Sequence, residues 1–174
     1  GPEIRLFPNY MVRPKLPDHE ATRVLWHQDA GYTFHLSQNG KVDQVNMVNI
    51  WASFVPATTE NGCMQFIPKT HKLGLVEHVE KEHYLEMDQE VLRPLLDQAI
   101  DIEMNPGDVV LFSNLLFHQG LANQSQSIRW SADWRYQDAT QATLRNESGH
   151  ILRSQLAPDS VVKNADHWAQ LSFS

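Results

Sequence analysis

Asn105-Pro106-Gly107-Asp108-Val109-Val110-Leu111-Phe112-Ser113-Asn114-Leu115-Leu116-Phe117-His118 is the stretch on which the reading of the fold turns. A Pro-Gly turn feeds an almost wholly apolar run, Val109 to Leu116, which has the pattern of a buried strand. His118 follows as the run gives way to Gln119-Gly120, and an imidazole in such a place needs a partner. Outward from this run the chain repeats the same grammar, short apolar segments of period near two between turn signals. Strands are expected at Arg23 to Gln28, Gln44 to Val55, Cys63 to Ile67, Ile100 to Met104 and Ile128 to Gln137, with turns at Gln38 to Lys41 and Thr59 to Gly62. Glu77 to Gln98 differs: Leu85, Val91, Leu92, Leu95 and Leu96 recur near helical spacing, predicting a helical insertion over about 77–98, broken near Pro94. A short helix is expected around Asp166 to Gln170. Many short strands with one long excursion predict a mainly β chain, a jelly roll or cupin-like barrel with flanking helices rather than a βαβ sheet.

At 174 residues, with 41% hydrophobic and 20% charged side chains, the chain reads as one globular domain over 1–174 that can bury its own core. A net charge of -7 without a Lys/Arg cluster argues against nucleic acid, whose affinity comes from basic patches. The one cysteine, Cys63, cannot form an internal disulfide, and Gly1-Pro2-Glu3 opens no signal peptide, so a cytoplasmic setting is expected. No apolar run approaches the roughly 18–20 residues that cross a bilayer, so no membrane partner is expected. Oligomeric state is not legible.

Chemistry is concentrated in few places. In Trp26-His27-Gln28-Asp29, at the end of an expected strand, His27 and Asp29 are two apart and face one side of the pleat. His78 and Glu80 have the same spacing, but in a charged, expectedly helical stretch where residues two apart diverge, so a solvated face is the better reading there. Two histidines and one carboxylate, His27, Asp29 and His118, make the facial set that suits non-haem iron(II) and leaves coordination positions open. In Ile128 to Tyr136, alternation puts Arg129, Ser131, Asp133 and Arg135 on one face, either lining a barrel or meeting solvent. Arg129 is the residue chosen to grip a dianionic acid, because guanidinium holds carboxylate through two parallel bonds.

Four features together resemble the phytanoyl-CoA dioxygenase family of 2-oxoglutarate oxygenases: Trp26 to Asp29; Asn61-Gly-Cys-Met-Gln-Phe-Ile-Pro68 followed by Thr70-His71; Pro106-Gly-Asp108 before the run ending in His118; and Arg129 beyond it. The resemblance implies a double-stranded β-helix, Fe(II) held by His27, Asp29 and His118, and Arg129 paired with the distal carboxylate of 2-oxoglutarate. It places Trp51 and Met11 along the cosubstrate pocket, core packing being their alternative reading. Some relatives carry a serine two residues after the distal histidine; Gly120 stands here, with Ser131 or a water as the expected substitute. Members also begin with a longer helical region, so this chain is expected to lack part of one. The implied reaction consumes O2 and 2-oxoglutarate, releases succinate and CO2, and hydroxylates or otherwise oxidises a C–H bond of a small organic substrate. Asp29 speaks against halogenation, since halogenating relatives replace that carboxylate. Other readings are a cupin-like binding module without turnover, and a zinc or manganese enzyme using the same three ligands. Tyr32, Phe34 and His35 line the substrate space or pack as a loop.

Overall fold

The computed structural model describes residues 1–36, 46–81 and 84–171; the turn expected at Gln38 to Lys41, the first residues of the strand expected from Gln44, and the side chain of His35 lie outside them. Two antiparallel sheets face each other. The larger joins β1 (Ile4–Leu6), β2 (Met11–Lys15), β4 (Met47–Ser53), β9 (Val109–Ser113), β11 (Arg129–Asp138) and β12 (His150–Arg153). β1 and β2 pair with opposite ends of β11, whose other edge takes β4. The smaller runs β3 (Val24–His27), β10 (Phe117–Gly120), β5 (Met64–Ile67), β8 (Ile100–Ile102). This is the double-stranded β-helix: its strands come in the alternating pattern the sequence announced, and each buries one face in the space between the sheets.

The decisive apolar run is not one strand. It breaks at Ser113 to Leu116 and divides between the sheets, β9 in the larger and β10 in the smaller. Leu116 N–H donates to Ser113 O at 2.9 Å and Leu115 N–H to Ser113 Oγ at 3.2 Å, which closes the turn. Ser113 and Asn114 are the polar interruption that permits it, since a buried turn needs its backbone groups paired. His118 consequently stands on β10, directly opposite His27 of β3.

The insertion expected as helical over 77–98 is so only in its second half. His78–Glu80 (β6) and Leu85–Met87 (β7) form a hairpin, followed by α2 (Gln89–Leu92) and a 3-10 turn over Arg93–Gln98; His83 lies outside the described residues. Asp88 caps α2 by accepting the Glu90 N–H at 2.7 Å. The charges that looked helical lie on an exposed two-stranded ribbon, while Leu85 and Met87 alternate inward, a period of two hidden among glutamates. Met87 and Leu92 pack with Trp26, Ile67 and Phe117, covering the outer face of the smaller sheet. Burying each of these side chains contributes roughly 1.5–3 kcal/mol and holds β3 and β10 in place from behind. Between the sheets, Trp51, Cys63, Met64, Phe66 and Leu116 form the main core. Near the end, Ala165–Gln170 (α3) is the short helix the sequence predicted.

Candidate metal centre

β3 ends at His27, and α1 (Asp29–Leu36) begins two residues later, so Asp29 is the first residue of a helix and not, as its spacing implied, on the same pleat as His27. What makes the two converge is the turn between them, stapled by Gln28. Its fully buried amide donates to Gly74 O at 2.8 Å and Leu115 O at 2.7 Å, and accepts the Val76 N–H at 2.9 Å. The Gln28 N–H donates to His78 Nε2 at 3.0 Å. His78 therefore supports the turn by packing against Gly31 and does not lie on a solvated face: a Cβ at Gly31 would fall 2.7 Å from the ring.

His27, Asp29 and His118 each offer one ligand atom, and these atoms lie within 4.8 Å of one another, all three residues buried. His27 Nδ1 is 2.8 Å from Leu25 O and His118 Nδ1 is 2.9 Å from Leu116 O. A carbonyl only accepts, so both Nδ1 atoms donate, and in the neutral, ligating form of each ring it is the Nε2 lone pair that turns inward. Each Nε2 faces Asp29 Oδ1, at 3.3 Å from His27 and 3.7 Å from His118. With both rings neutral, three lone-pair donors meet there, an arrangement that suits a cation. Ligands at right angles on metal bonds of ~2.1 Å stand about 3 Å apart, so the three residues fit one first-row metal ion on a single face, with further positions open toward the cavity. Burial, with His27 beside it, pushes the His118 imidazole down to about 3, which keeps it in the neutral, ligating form.

The second oxygen of Asp29 is spoken for. Oδ2 accepts from Arg135 Nη2 at 2.6 Å, Arg135 Nε at 2.9 Å and Asn49 Nδ2 at 2.8 Å. Burial alone raises the Asp29 carboxyl, but Arg135, with the two histidines, outweighs it and holds it well below the usual carboxylate range. Asn49 and Arg135 are register partners on β4 and β11. Sequence reading placed Arg135 on the same face as Arg129 without giving it a task, and passed over Asn49 altogether; the available signal was the alternation Asn49, Trp51 opposite Arg135, Asp133.

All of Arg129, Ser131, Asp133, Arg135 and Gln137 are buried, so the polar face of β11 lines the barrel and not solvent. Arg129 Nε and Nη1 and Ser131 Oγ have no hydrogen-bond partner among the described residues, and the Arg129 guanidinium lies 5.1 Å from the centre of the Trp51 ring. Three orphaned donors on one strand face await an acceptor such as a carboxylate. Lys15, the register partner of Arg129, is buried beside it and donates to Leu121 O. A Cβ at Gly120 would stand 3.0 Å from Lys15 Nζ, so the space left by the missing serine is filled by an ammonium that sequence reading missed. Burial and the neighbouring Arg129 bring Lys15 down to about 7.

The three candidate ligands together with Lys15, Arg129, Asp133 and Arg135 share one cavity of about 590 Å³, lined also by Met11, Tyr32, Met64 and Phe112, while Ser131, fully buried, lies behind its wall. Met11 is at its edge, half exposed, while Trp51 is buried in its wall. Tyr32 reaches it and sets its ring edge-on to His27 at 5.2 Å; Phe34 lies in a separate hollow with Gly31, His78 and Leu85.

The sequence profile of the phytanoyl-CoA dioxygenase family (PhyH) matches residues 4–131. The chain belongs to that family. No curated protein matches it. Among solved structures it is similar to EvdO2 from Micromonospora carbonacea var. aurantiaca complexed with 2-oxoglutarate, at 20% identity and a TM-score of 0.65 over 78% of this chain and 52% of that one. EctD from S. alaskensis, with 2-oxoglutarate and 5-hydroxyectoine, aligns at 17% identity and a TM-score of 0.65 over 91% of this chain and 52% of that one. The epimerase SnoN, in complex with Fe3+, alpha ketoglutarate and nogalamycin RO, gives 21% and 0.60, over 79% and 51%. This chain thus spans about half the length of these neighbours, and at such identities the likeness establishes the fold.

Proposed function

We propose that this PhyH-family chain is an Fe(II)- and 2-oxoglutarate-dependent oxygenase that oxidises a C–H bond of a small organic substrate. The observation that carries the reading is the meeting of the ligand atoms of His27, Asp29 and His118 in the same cavity as Arg129, whose buried Nε and Nη1 have no partner among the described residues. Iron(II) bound there supplies activation of O2 as 2-oxoglutarate is decarboxylated to succinate and CO2.

The chain's own residues do the rest. His27, Asp29 and His118 occupy one face of the metal, and Arg135 with Asn49 keeps Asp29 Oδ2 engaged, so that Oδ1 is the donor. Arg129 and Ser131, with Lys15 beside them, receive the distal carboxylate of 2-oxoglutarate and orient it along β11. Trp51, Met64 and Phe112 exclude water from one side of the cavity, and Met11 borders its mouth. With the Asp29 carboxylate in place no position is vacated for halide, which favours hydroxylation or a related oxidation. Residues 1–174 act as a single oxygenase domain.

The test is reconstitution under anaerobic conditions. One equivalent of iron(II) binds, 2-oxoglutarate then binds in a metal-dependent way, and admitting air releases succinate. Tight zinc binding with no succinate from the iron form overturns the reading in favour of another metalloenzyme; metal-independent binding of acids without turnover favours a binding module.

A further inference from the structure

The charge of this cavity is opposite to that of the chain. Although the chain carries a net -7, among the described residues six Lys and Arg line the cavity, Arg13, Lys15, Arg23, Arg129, Arg135 and Arg145, against two carboxylates, Asp29 and Asp133. Two more carboxylates stand nearby, Glu20 at 3.6 Å from Arg23 and Glu147 at 3.7 Å from Arg145, and with them counted a surplus of two positive charges remains. Iron(II) adds two charges and the 2-oxoglutarate dianion removes two, so the surplus survives loading. Even with Lys15 neutral one uncompensated cation is left.

Arg13 is the cation placed to use it. It lies on β2 two residues from Lys15, on the same face, so the two side chains leave the strand about 7 Å apart. Its Nε is held by Asp133, which is itself held by Arg135 Nη1 at 3.1 Å, and Arg135 in turn holds Asp29. Among the described residues the Arg13 guanidinium makes no other hydrogen bond, so both of its Nη groups are offered to the cavity mouth, where the side chain is 42% exposed. Asp133 fixes the fork in position before any ligand arrives, the preorganisation that lets a guanidinium grip an oxyanion at little entropic cost.

On the reading given under Proposed function, we infer that the substrate is an anion, a small organic carboxylate or phosphate monoester, and that Arg13 is the residue that receives its charged group while the oxidisable carbon lies toward His27 and His118. Arg129 and Lys15 then serve the cosubstrate and Arg13 serves the substrate, two anions bound in one cavity by separate cations on the strands β11 and β2. Field focusing in a cleft of one sign also raises the local concentration of such a substrate.

The experiment uses the full chain loaded anaerobically with iron(II) and 2-oxoglutarate, and reads the thermal midpoint against matched pairs of small molecules. Each carboxylic acid is paired with its methyl ester, and each phosphate monoester with the parent alcohol. Anionic members raise the midpoint and the neutral members do not; the carboxylate and phosphate arms separate the two chemistries. Arg13→Gln weakens the anion's binding roughly tenfold or more, and Arg13→Lys recovers part of it, as expected for the loss of a charge-assisted pair. Neutral members binding as well as their anions, no anion in the panel moving the midpoint, or an anion response that persists in Arg13→Gln each overturns the inference. A separate titration of 2-oxoglutarate into the iron-loaded protein reads the cosubstrate site alone, so its failure sinks the oxygenase reading without being mistaken for failure of the anion site.

Discussion

Arg135 holds Asp29 by two nitrogens, Nη2 at 2.6 Å and Nε at 2.9 Å from the same carboxylate oxygen, and leaves the other oxygen alone before the two imidazoles. Of the described residues around it, Arg135 does most to keep this buried carboxylate ionised when the metal is absent, ahead of the two imidazoles. Replacing it by methionine strands Asp29 in an apolar site, where burial raises its carboxyl. Arg135→Met is expected to cost the metal-free protein about 3–5 kcal/mol in urea unfolding. Because a proton then competes for Asp29, metal affinity should fall more at pH 6 than at pH 8; an equal loss at both would show that Arg135 does not set the ionisation of this ligand.

Arg129 gives the opposite result in the absence of ligand. Its Nε and Nη1 are buried without partners among the described residues, a cost that the cosubstrate would relieve under the proposed function. Arg129→Met should leave the stability of the cosubstrate-free protein unchanged or raise it, while weakening 2-oxoglutarate binding by about 2–3 kcal/mol, roughly 30- to 150-fold. Urea unfolding and calorimetric titration read the two effects separately. A variant that is destabilised and still binds 2-oxoglutarate normally would assign Arg129 to structure.

Gln28 is buried and has its amide fully committed, to Gly74 O, Leu115 O and the Val76 N–H. Gln28→Ala removes all three bonds and leaves a hole between the metal ligands on either side of it. Orphaned buried groups cost ~1–3 kcal/mol each, so a loss of at least about 3 kcal/mol is expected, together with weaker metal binding. Gly31→Ala tests the same support from the other side, by pressing on His78; a metal affinity unaffected by both changes would mean that the turn is not what aligns His27 with Asp29.

How far the sequence foretold this site follows from the range of each signal. His27, Asp29, His118 and Arg129 were legible because each stands at the edge of a short motif whose neighbours are apolar or turn-forming. The β class was legible because alternation is a local property of each strand. The split of Val109 to His118 between two sheets was not, since its apolar composition predicts one buried strand, whereas β9 leaves Val109 and Leu111 exposed and only the hydrogen bonds reveal the turn. The hairpin at His78–Glu80 and Leu85–Met87 was hidden by exposed charge, which suits helix and edge ribbon alike. Lys15 and Arg135 each act on a partner 106 residues away, Leu121 and Asp29, and Asn49 reaches Asp29 from another element of the fold, and no local pattern marks a residue whose meaning lies across a sheet.

Lys15 provides the sharpest pH test. Burial and Arg129 lower its ammonium to about 7, whereas in the unfolded chain it titrates near 10.5. Between those values the unfolded state carries a proton the folded state lacks, so this residue makes stability rise with pH across that window, and its cost is fully present only below about 7. A carboxylate arriving beside it does the reverse, favouring the charged form and raising its pKa in the complex. Binding of 2-oxoglutarate therefore takes up a proton above pH 7, and affinity should fall as pH rises from about 7, by at most tenfold per pH unit. Lys15→Met removes both trends: stability between pH 7 and 10 loses this rising component, and 2-oxoglutarate binding becomes weaker but nearly independent of pH over the same span. Calorimetric titrations in buffers of different ionisation enthalpy count the proton directly. No proton uptake at pH 8 in the wild-type protein, or an unaltered pH profile in Lys15→Met, would remove Lys15 from the carboxylate site and leave Arg129 and Ser131 to hold it alone.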